Sequence, residues 1–369
     1  MDFIARRITN IPPSGIRTYF DIARTMPEAI NLSIGQPDFE VPEPIKRAAV
    51  EAIRANRNGY SASAGVPELR EAIGAALTRE FPDWRPTIMV TCGVSGGLTT
   101  ALAACLDSGD EVLFGDPYFV SYPYLVRLLG GEPVPVPLDA RFMPDPERFA
   151  AAITPRTKII LLNSPSNPTG VVYERARVQA VAELARARDL LLISDEIYNV
   201  LSYDEPVPSP VSFAPERTLL LRGFGKSYGV TGWRLGYAAG PAELIEQMVK
   251  VQQYTFVCAP HMAQVAGVEA LRTNMSAQVA AYRNKRDLVV AELSGAFEFV
   301  RPSGGFYIFP RVPRGFPDAN AFVETAIARK VIVIPGRVFS RQNDHFRLSY
   351  AVPDARLREG CRILAALSK

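Results

Sequence analysis

Six short apolar segments alternate with longer helical patterns between residues 88 and 221 of this 369-residue chain. The segments, which we predict to be strands, are 88–91, 111–114, 133–136, 158–162, 190–194 and 218–221. Helices are predicted at 96–106, 118–129 and 174–188. Strands that are apolar throughout and alternate with helices are typical of a mostly parallel sheet covered on both faces. We therefore predict an α/β protein whose ligand site lies beyond the carboxyl ends of these strands.

The length of the chain predicts two domains, since a single hydrophobic core rarely extends beyond about 250–300 residues. We assign residues 45–276 to a large domain that contains the α/β sheet. Residues 1–44 and 277–369 are assigned to a small α+β domain, with the first 44 residues as an arm outside the core. The elements predicted in this small domain are strands at 305–312, 331–334 and 346–350 and helices at 277–293, 320–329 and from 354 onward.

Charge and cysteine usage argue against several classes of function. The net charge is +3 and no basic block contains interleaved aromatic residues, so no nucleic-acid partner is predicted. No apolar run reaches the roughly 18 residues that a membrane span needs, so no membrane partner is predicted. Four dispersed cysteines and two histidines do not form a zinc-binding pattern, and no metal is predicted. Reduced thiols and the lack of an apolar leader favour a cytoplasmic protein.

A glycine-rich stretch at 221–236 (Leu-Arg-Gly-Phe-Gly-Lys-Ser-Tyr-Gly-Val-Thr-Gly-Trp-Arg-Leu-Gly) contains Lys226 and Arg234. Glycine lets the backbone bend sharply and approach a ligand closely. A surface turn with solvated cations is one interpretation. A Walker A phosphate loop is excluded, because Leu220 stands where that motif requires its first glycine. The third interpretation is a lysine that forms a covalent imine with a ligand.

Small residues and an aromatic residue follow the first two predicted strands. Residues 91–97 (Thr-Cys-Gly-Val-Ser-Gly-Gly) enter a helix whose free amides favour a phosphate group. For this motif alone, a plain helix capped by Ser95 is the preferred alternative. Phe119 follows the next strand, where an aromatic ring can stack on a planar ligand, although core packing is the commoner role.

Polar side chains follow or occupy the later strands. Asn167 lies in a proline-rich loop and either presents its amide to a ligand or belongs to a rigid turn. Asp195 ends an apolar strand, so its carboxylate needs a partner, either a cap, an arginine or a protonated heterocyclic nitrogen. Arg347 lies among apolar neighbours, where its guanidinium seeks a carboxylate from a ligand or from a structural acid.

Taken in order, these motifs resemble those of the class I/II aminotransferases, which are fold-type-I enzymes that use pyridoxal 5′-phosphate. The resemblance extends over nearly the whole chain. It rests on 13–17 (Pro-Ser-Gly-Ile-Arg), 35–38 (Gly-Gln-Pro-Asp), 167–170 (Asn-Pro-Thr-Gly), 195–198 (Asp-Glu-Ile-Tyr), Lys226 with 231–236 (Thr-Gly-Trp-Arg-Leu-Gly), and 347–350 (Arg-Leu-Ser-Tyr). It implies a mostly parallel sheet in a large domain and a smaller α+β domain.

The resemblance also implies a role for each candidate residue. Lys226 would carry the cofactor as an imine, and Asp195 would pair with the pyridinium nitrogen. The other cofactor contacts that it implies are Asn167 and Tyr198 to the 3-oxygen, Phe119 stacked on the ring, and Ser95, Arg234 and the amides of Val94 and Gly96 around the phosphate. Tyr60 would reach the phosphate of a neighbouring subunit, which implies a homodimer with shared active sites. Arg347 would hold the substrate α-carboxylate, with Asn167 and Gly35 also at the substrate.

Two glycines depart from the family pattern. Gly223 and Gly225 stand three residues and one residue before Lys226, where the family usually has serines. The first serine normally adds a hydroxyl to the phosphate site, so its replacement is expected to weaken cofactor binding by about 1.5–3 kcal/mol. The loop 339–344 (Phe-Ser-Arg-Gln-Asn-Asp) also departs from the pattern.

The activity implied is the transfer of an amino group from an α-amino acid to a 2-oxo acid such as 2-oxoglutarate or pyruvate. A C–S β-lyase on the same scaffold is the alternative, and a non-catalytic binding module is a more remote one. The segment 231–236 favours the aminotransferase, and the intact Lys226 argues against the binding module. No further basic residue can be assigned to a side-chain carboxylate, so acidic, aromatic and alanine-type donors are all retained.

Overall fold

The computed structural model describes residues 3–368. The helices are α1 (Arg6–Thr9), α2 (Gly15–Thr25), α3 (Glu43–Arg54), α4 (Pro67–Glu80), α5 (Gly93–Cys105), α6 (Ser121–Leu128), α7 (Pro146–Ala152), α8 (Arg175–Ala187), α9 (Phe224–Ser227), α10 (Ala242–Tyr254), α11 (His261–Ala270), α12 (Ser276–Leu293), α13 (Ala319–Ala328) and α14 (Asp354–Ala366). The strands are β1 (Ile30–Asn31), β2 (Thr87–Thr91), β3 (Glu111–Asp116), β4 (Glu132–Pro137), β5 (Thr157–Asn163), β6 (Leu191–Asp195), β7 (Thr218–Gly223), β8 (Gly236–Gly240), β9 (Tyr307–Ile308), β10 (Val331–Ile332), β11 (Ile334–Pro335) and β12 (Phe346–Ser349).

A seven-stranded sheet in the order β2-β8-β7-β6-β5-β3-β4 forms the centre of the molecule. All six predicted strands belong to it, and the neighbours from β7 through β4 pair in parallel. The prediction of a mostly parallel α/β sheet is therefore confirmed. The sequence did not reveal β8, which runs antiparallel between β2 and β7. Its sequence, Gly-Tyr-Ala-Ala-Gly, is rich in residues that are depleted in strands.

The central strands are apolar throughout because both faces of the sheet are covered. Within β5, Ile159 and Leu161 pack into one buried cluster with α5, whereas Ile160 and Leu162 pack into another with α8. Successive side chains of a strand point to opposite faces, so an uninterrupted apolar run fills both layers. This packing fixes the strand ends, where the polar residues lie.

The remaining strands form two small sheets. One has the antiparallel order β11-β12-β9, and the other pairs β1 with β10 in parallel. The strand predicted at 305–312 is reduced to β9, because Gly305 adopts a φ of 66° and Pro310 has no amide to donate. The strand predicted at 331–334 is divided into β10 and β11.

Part of the N-terminal segment is buried in the protein and does not lie outside it as an arm. Ile30 and Leu32 are buried in the hydrophobic cluster of the small sheets, and Gly360 of α14 lies against both. The expectation that the first 44 residues lie outside the core was therefore wrong for this segment. Its pairing partner, β10, is 300 residues away in sequence, and such a pairing leaves no local pattern. The domain limits at 45 and 277 stay a prediction.

Candidate active site

A cavity of about 300 Å³ opens at the carboxyl ends of the central strands. The sequence predicted a ligand site at these strand ends. The predicted site residues that line it are Gly35, Val94, Ser95, Phe119, Asn167, Asp195, Tyr198, Lys226, Arg234 and Arg347. Gly96 belongs to the same first turn of α5 but does not line the cavity. Tyr60 lies outside the cavity, with 87% of its surface exposed.

Lys226 reaches the cavity from the short helix α9, which directly follows β7. Its amine donates a hydrogen bond to the carbonyl oxygen of Gly35. Burial lowers the pKa of Lys226 to about 8, and the positive charges of Arg347 and Arg234 act in the same direction. A larger fraction of this amine is therefore neutral near pH 7 than for an exposed lysine, which is the form that attacks a carbonyl carbon.

Asp195 is the last residue of β6, and only 4% of its surface is exposed. Its carboxylate accepts hydrogen bonds from the Tyr122 hydroxyl at 2.7 Å and the Ile197 amide at 3.2 Å. Burial raises the pKa of Asp195 to about 6, against the effect of these two donors. A buried carboxylate at the cavity wall suits a protonated ring nitrogen, which would supply the missing positive charge.

The first turn of α5 forms one end of the cavity. The helix begins at Gly93 and has no side-chain cap, so its first amides are free. Ser95 is therefore not the cap that the motif alone suggested, but an exposed residue facing the cavity. A Cβ atom on Gly93 would lie 2.7 Å from Nη2 of Arg234, so this glycine lets the guanidinium approach the helix terminus. Free amides beside an arginine fit a phosphate group.

Gly223 is a glycine because two apolar side chains occupy the adjacent space. A Cβ atom there would lie 2.7 Å from Cδ1 of Ile197 and 3.0 Å from Cγ2 of Val94. A serine at this position therefore cannot be accommodated without moving one of them. A Cβ atom on Gly225 would lie 3.3 Å from the Cα atom of Thr231, which is also tight. The side chains of Val94 and Ile197 thus explain why Gly223 replaces the serine that is usual in the family.

Arg347 is fully buried, and its contacts are not those of a structural salt bridge. It donates to Oδ1 of Asn167 at 3.0 Å and to the carbonyl oxygen of Ser33 at 2.8 Å. The guanidinium carbon lies 4.4 Å from the ring centre of Tyr307. Its Nε atom has no hydrogen-bond partner among residues 3–368. Since burial of an unpaired charge is costly, this arginine suits an anionic ligand such as a carboxylate.

Three aromatic or amide side chains missed by the sequence reasoning complete the site. Tyr122 bonds to Asp195, Asn163 donates to the backbone carbonyl of Asp195 at 3.0 Å, and Tyr307 accepts from the Tyr198 hydroxyl at 3.3 Å. Asn163 ends β5 and could have been found by the strand-end argument that found Asp195. Tyr122 lies three residues after Phe119, and this spacing is a weaker indication that its side chain belongs to the site. Nothing in the sequence marks Tyr307.

Within 3–368, no helix is both long and apolar enough to cross a membrane. Nor does that part of the chain contain a group of three or more histidine, cysteine or acidic side chains placed to hold a metal ion.

A mostly parallel central sheet with its ligand cavity at the strand ends is the arrangement of the fold-type-I pyridoxal-phosphate enzymes. The family model for aminotransferase class I and II matches residues 27–364. The chain belongs to this family, and it is an aminotransferase that depends on pyridoxal 5′-phosphate.

Individual relatives agree over their whole lengths. The aspartate/prephenate aminotransferase of Thermus thermophilus is 40% identical in an alignment of 372 positions that covers 96% of each chain. A probable aspartate aminotransferase of Methanocaldococcus jannaschii is 39% identical over 94% of this chain and 95% of its own. The solved structure of Thermus thermophilus aspartate aminotransferase with maleate superposes with a TM-score of 0.94, at 38% identity and full coverage of both chains.

Proposed function

We propose that Lys226 binds the cofactor covalently and that Asp195 holds the proton on its ring nitrogen. The observation that carries this proposal is the convergence of Lys226, Asp195 and the guanidinium of Arg347 on one cavity. Phe119 is proposed to stack on the ring, with Asn167 and Tyr198 at its 3-oxygen. The phosphate is assigned to Ser95, Arg234 and the amides of Val94 and Gly96.

When bound, pyridoxal 5′-phosphate supplies an electron sink for the electron pair left at the substrate Cα atom. Asp195 would favour this by keeping a positive charge on the ring nitrogen, and the hydrogen bond from Tyr122 helps to keep its carboxylate ionised. With its amine free, Lys226 would take the proton from the substrate Cα atom and donate it to C4′ of the cofactor. Its lowered pKa suits both directions of this transfer.

Arg347 is proposed to hold the α-carboxylate of both the amino acid and the 2-oxo acid, since both carry this group. Its free Nε and its Nη atoms provide the planar fork that such a carboxylate requires. Gly35 and Asn167 lie beside it on the cavity wall. We propose 2-oxoglutarate or pyruvate as the acceptor. Because both of these relatives are named for aspartate, we propose acidic amino acids as the first donors to test.

Single-turnover reactions test this function. Holoenzyme is mixed with one amino acid at a time, without acceptor, and the visible cofactor band and the released 2-oxo acid are followed. We expect one equivalent of 2-oxo acid per site as the band disappears, and the band should return on addition of 2-oxoglutarate or pyruvate. A C–S β-lyase would instead release pyruvate and ammonia over many turnovers from cysteine-type substrates, with no donor converting the cofactor, and that result would contradict the proposal.

We further propose a homodimer in which Tyr60 reaches the phosphate site of the partner subunit. Tyr60 and Tyr254 are each 87% exposed, and Phe256 is 42% exposed. The segments that carry them are joined, because Gln252 donates to the carbonyl oxygen of Ser63. Phe256 in turn lies near Gly96, at the phosphate end of the cavity. Exposed aromatic side chains grouped beside a binding site are typical of an interface.

Replacing Tyr60 with phenylalanine tests the shared site. We expect the dissociation constant of the cofactor to rise about 10- to 100-fold, as for a lost hydrogen bond to a charged group. The equally exposed Tyr254→Phe serves as the matched control and should leave the constant unchanged. Light scattering should give twice the mass of the chain. A monomeric holoenzyme, or equal effects of the two substitutions, would argue against a shared site.

We also propose a cytoplasmic location. All four cysteines of the chain carry free thiols, as is usual in a reducing compartment.

A further inference from the structure

A cluster of three charged side chains lies beneath the strand ends that carry the active site. Arg222 donates to Glu196 through Nε at 2.9 Å and Nη2 at 2.7 Å. It also donates to Glu80, at the end of α4, through Nη1 at 2.6 Å and Nη2 at 2.7 Å. The side chains of Glu196 and Arg222 are 1% and 6% exposed, whereas that of Glu80 is 42% exposed. The buried half of the cluster is thus the Glu196–Arg222 pair.

This pair joins the two segments that present the catalytic groups. Glu196 directly follows Asp195, and Arg222 is the last residue but one of β7, which leads into the helix of Lys226. The Glu196 amide also donates to the carbonyl oxygen of Leu221 at 2.9 Å. Neither charged side chain lines the cavity, because successive side chains of an extended segment point to opposite faces. The pair therefore holds both segments from the far side of the sheet.

The same pair places two acids next to each other in the interior. Burial raises the pKa of Asp195, and the charge of Glu196 acts in the same direction. Burial also raises the pKa of Glu196, whereas the charge of Arg222 opposes that effect. The other polar groups around the pair are Glu80, Tyr237, Ser194 and Ser209. Besides Asp195, the charged groups of the cavity are Lys226, Arg234 and Arg347.

We propose that Glu196 and Arg222 are positioning residues of the transamination site. They fix the distance between Asp195 and Lys226 across the strand ends, and the negative charge of Glu196 stabilises the protonated, positively charged cofactor. Both act through the neighbouring residues and do not touch the substrate. This inference rests on the cofactor-binding roles proposed above for Asp195 and Lys226.

A spectroscopic pH titration of holoenzyme separates this role from a purely structural one. Glu196→Gln removes the charge but keeps the shape, and the Arg222–Glu80 pair remains. We expect the midpoint of the visible-band titration to move to lower pH by about 0.3–1 unit, because losing a nearby negative charge disfavours the protonated cofactor. The matched control, Glu80→Gln, removes an equal charge from the exposed end of the cluster, where solvent screens it. Its midpoint should stay within experimental error.

A second variant tests the geometric part. Arg222→Lys keeps the positive charge but loses the fork that binds both acids. We expect kcat to fall about 3- to 10-fold, because Asp195 and Lys226 would be slightly displaced from each other. KM and the midpoint of the titration should not change, because substrate binding and the charge of Glu196 are unaffected. If Glu196→Gln and Arg222→Lys lower only the unfolding temperature, the pair is structural and the inference is overturned. A wild-type holoenzyme without the visible band would instead overturn the proposed function.

Discussion

Lys226→Ala is expected to abolish the visible absorption band of the bound cofactor and to lower transamination by at least about 10⁴-fold. Lys226 is the one lysine among the described residues that line the cavity, so no other amine there can form the covalent link. The substitution also removes the group that we propose to move the proton at Cα. These two losses act on the same reaction, which is why the effect exceeds that of a single proton-transfer group.

The measurement combines spectra, activity and peptide mapping. Borohydride reduction of wild-type holoenzyme should leave the cofactor mass on the peptide that contains Lys226. Lys250, an exposed lysine of α10, provides the matched control, and Lys250→Ala should keep both the band and the activity. An unchanged spectrum in Lys226→Ala, or the label on another lysine, would show that this residue is not the attachment point. Non-covalent binding in the variant, detected by filtration, would show that the cradle persists.

The strand ends explain why much of the site was predictable. Asp195 and Lys226 each follow an apolar strand, and adjacent parallel strands bring their carboxyl ends to one edge. No contact between the two needed to be known, because the sheet supplies their proximity. Asn163 ends β5 and obeys the same rule. The α/β sheet itself was predictable for a related reason, since strands covered on both faces are apolar throughout.

Features that depend on distant pairing were not predictable in the same way. The burial of Ile30 and Leu32 requires β10, and β8 lacks the residues that mark a strand. The hydrogen bond between Tyr122 and Asp195 depends on the direction in which α6 leaves β3.

Gly223 illustrates a third kind of limit. Its departure from the family pattern was visible in the sequence, but the reason was not. Val94 follows β2 and Ile197 follows β6, so the two side chains meet beside this glycine only in the folded chain. The serine hydroxyl that is missing at position 223 is therefore linked to the packing of Val94 and Ile197. The expected weakening of cofactor binding stays a prediction.

Arg347→Lys is expected to lower kcat/KM about 10²- to 10⁴-fold for amino acids and for 2-oxo acids alike. The guanidinium is held in one orientation by Asn167 and by the Ser33 carbonyl oxygen, with the ring of Tyr307 beside it. A lysine keeps the positive charge but cannot make two parallel hydrogen bonds to one carboxylate. The loss should appear with both half-reactions, since donor and acceptor share the α-carboxylate.

The cofactor band is expected to stay in this variant, because we propose that Arg347 binds the substrate carboxylate and not the cofactor phosphate. Arg311→Lys is the matched control, since the Arg311 side chain is 56% exposed and its replacement should leave kcat/KM unchanged. Kinetics with an amine that lacks a carboxylate provide the internal reference. The slow reaction of such an amine should have nearly the same rate in wild type and Arg347→Lys, because an amine without a carboxylate does not bind the guanidinium. A loss of equal size for this amine would mean that the substitution disturbs the whole site, and carboxylate recognition would then have to be assigned to another group.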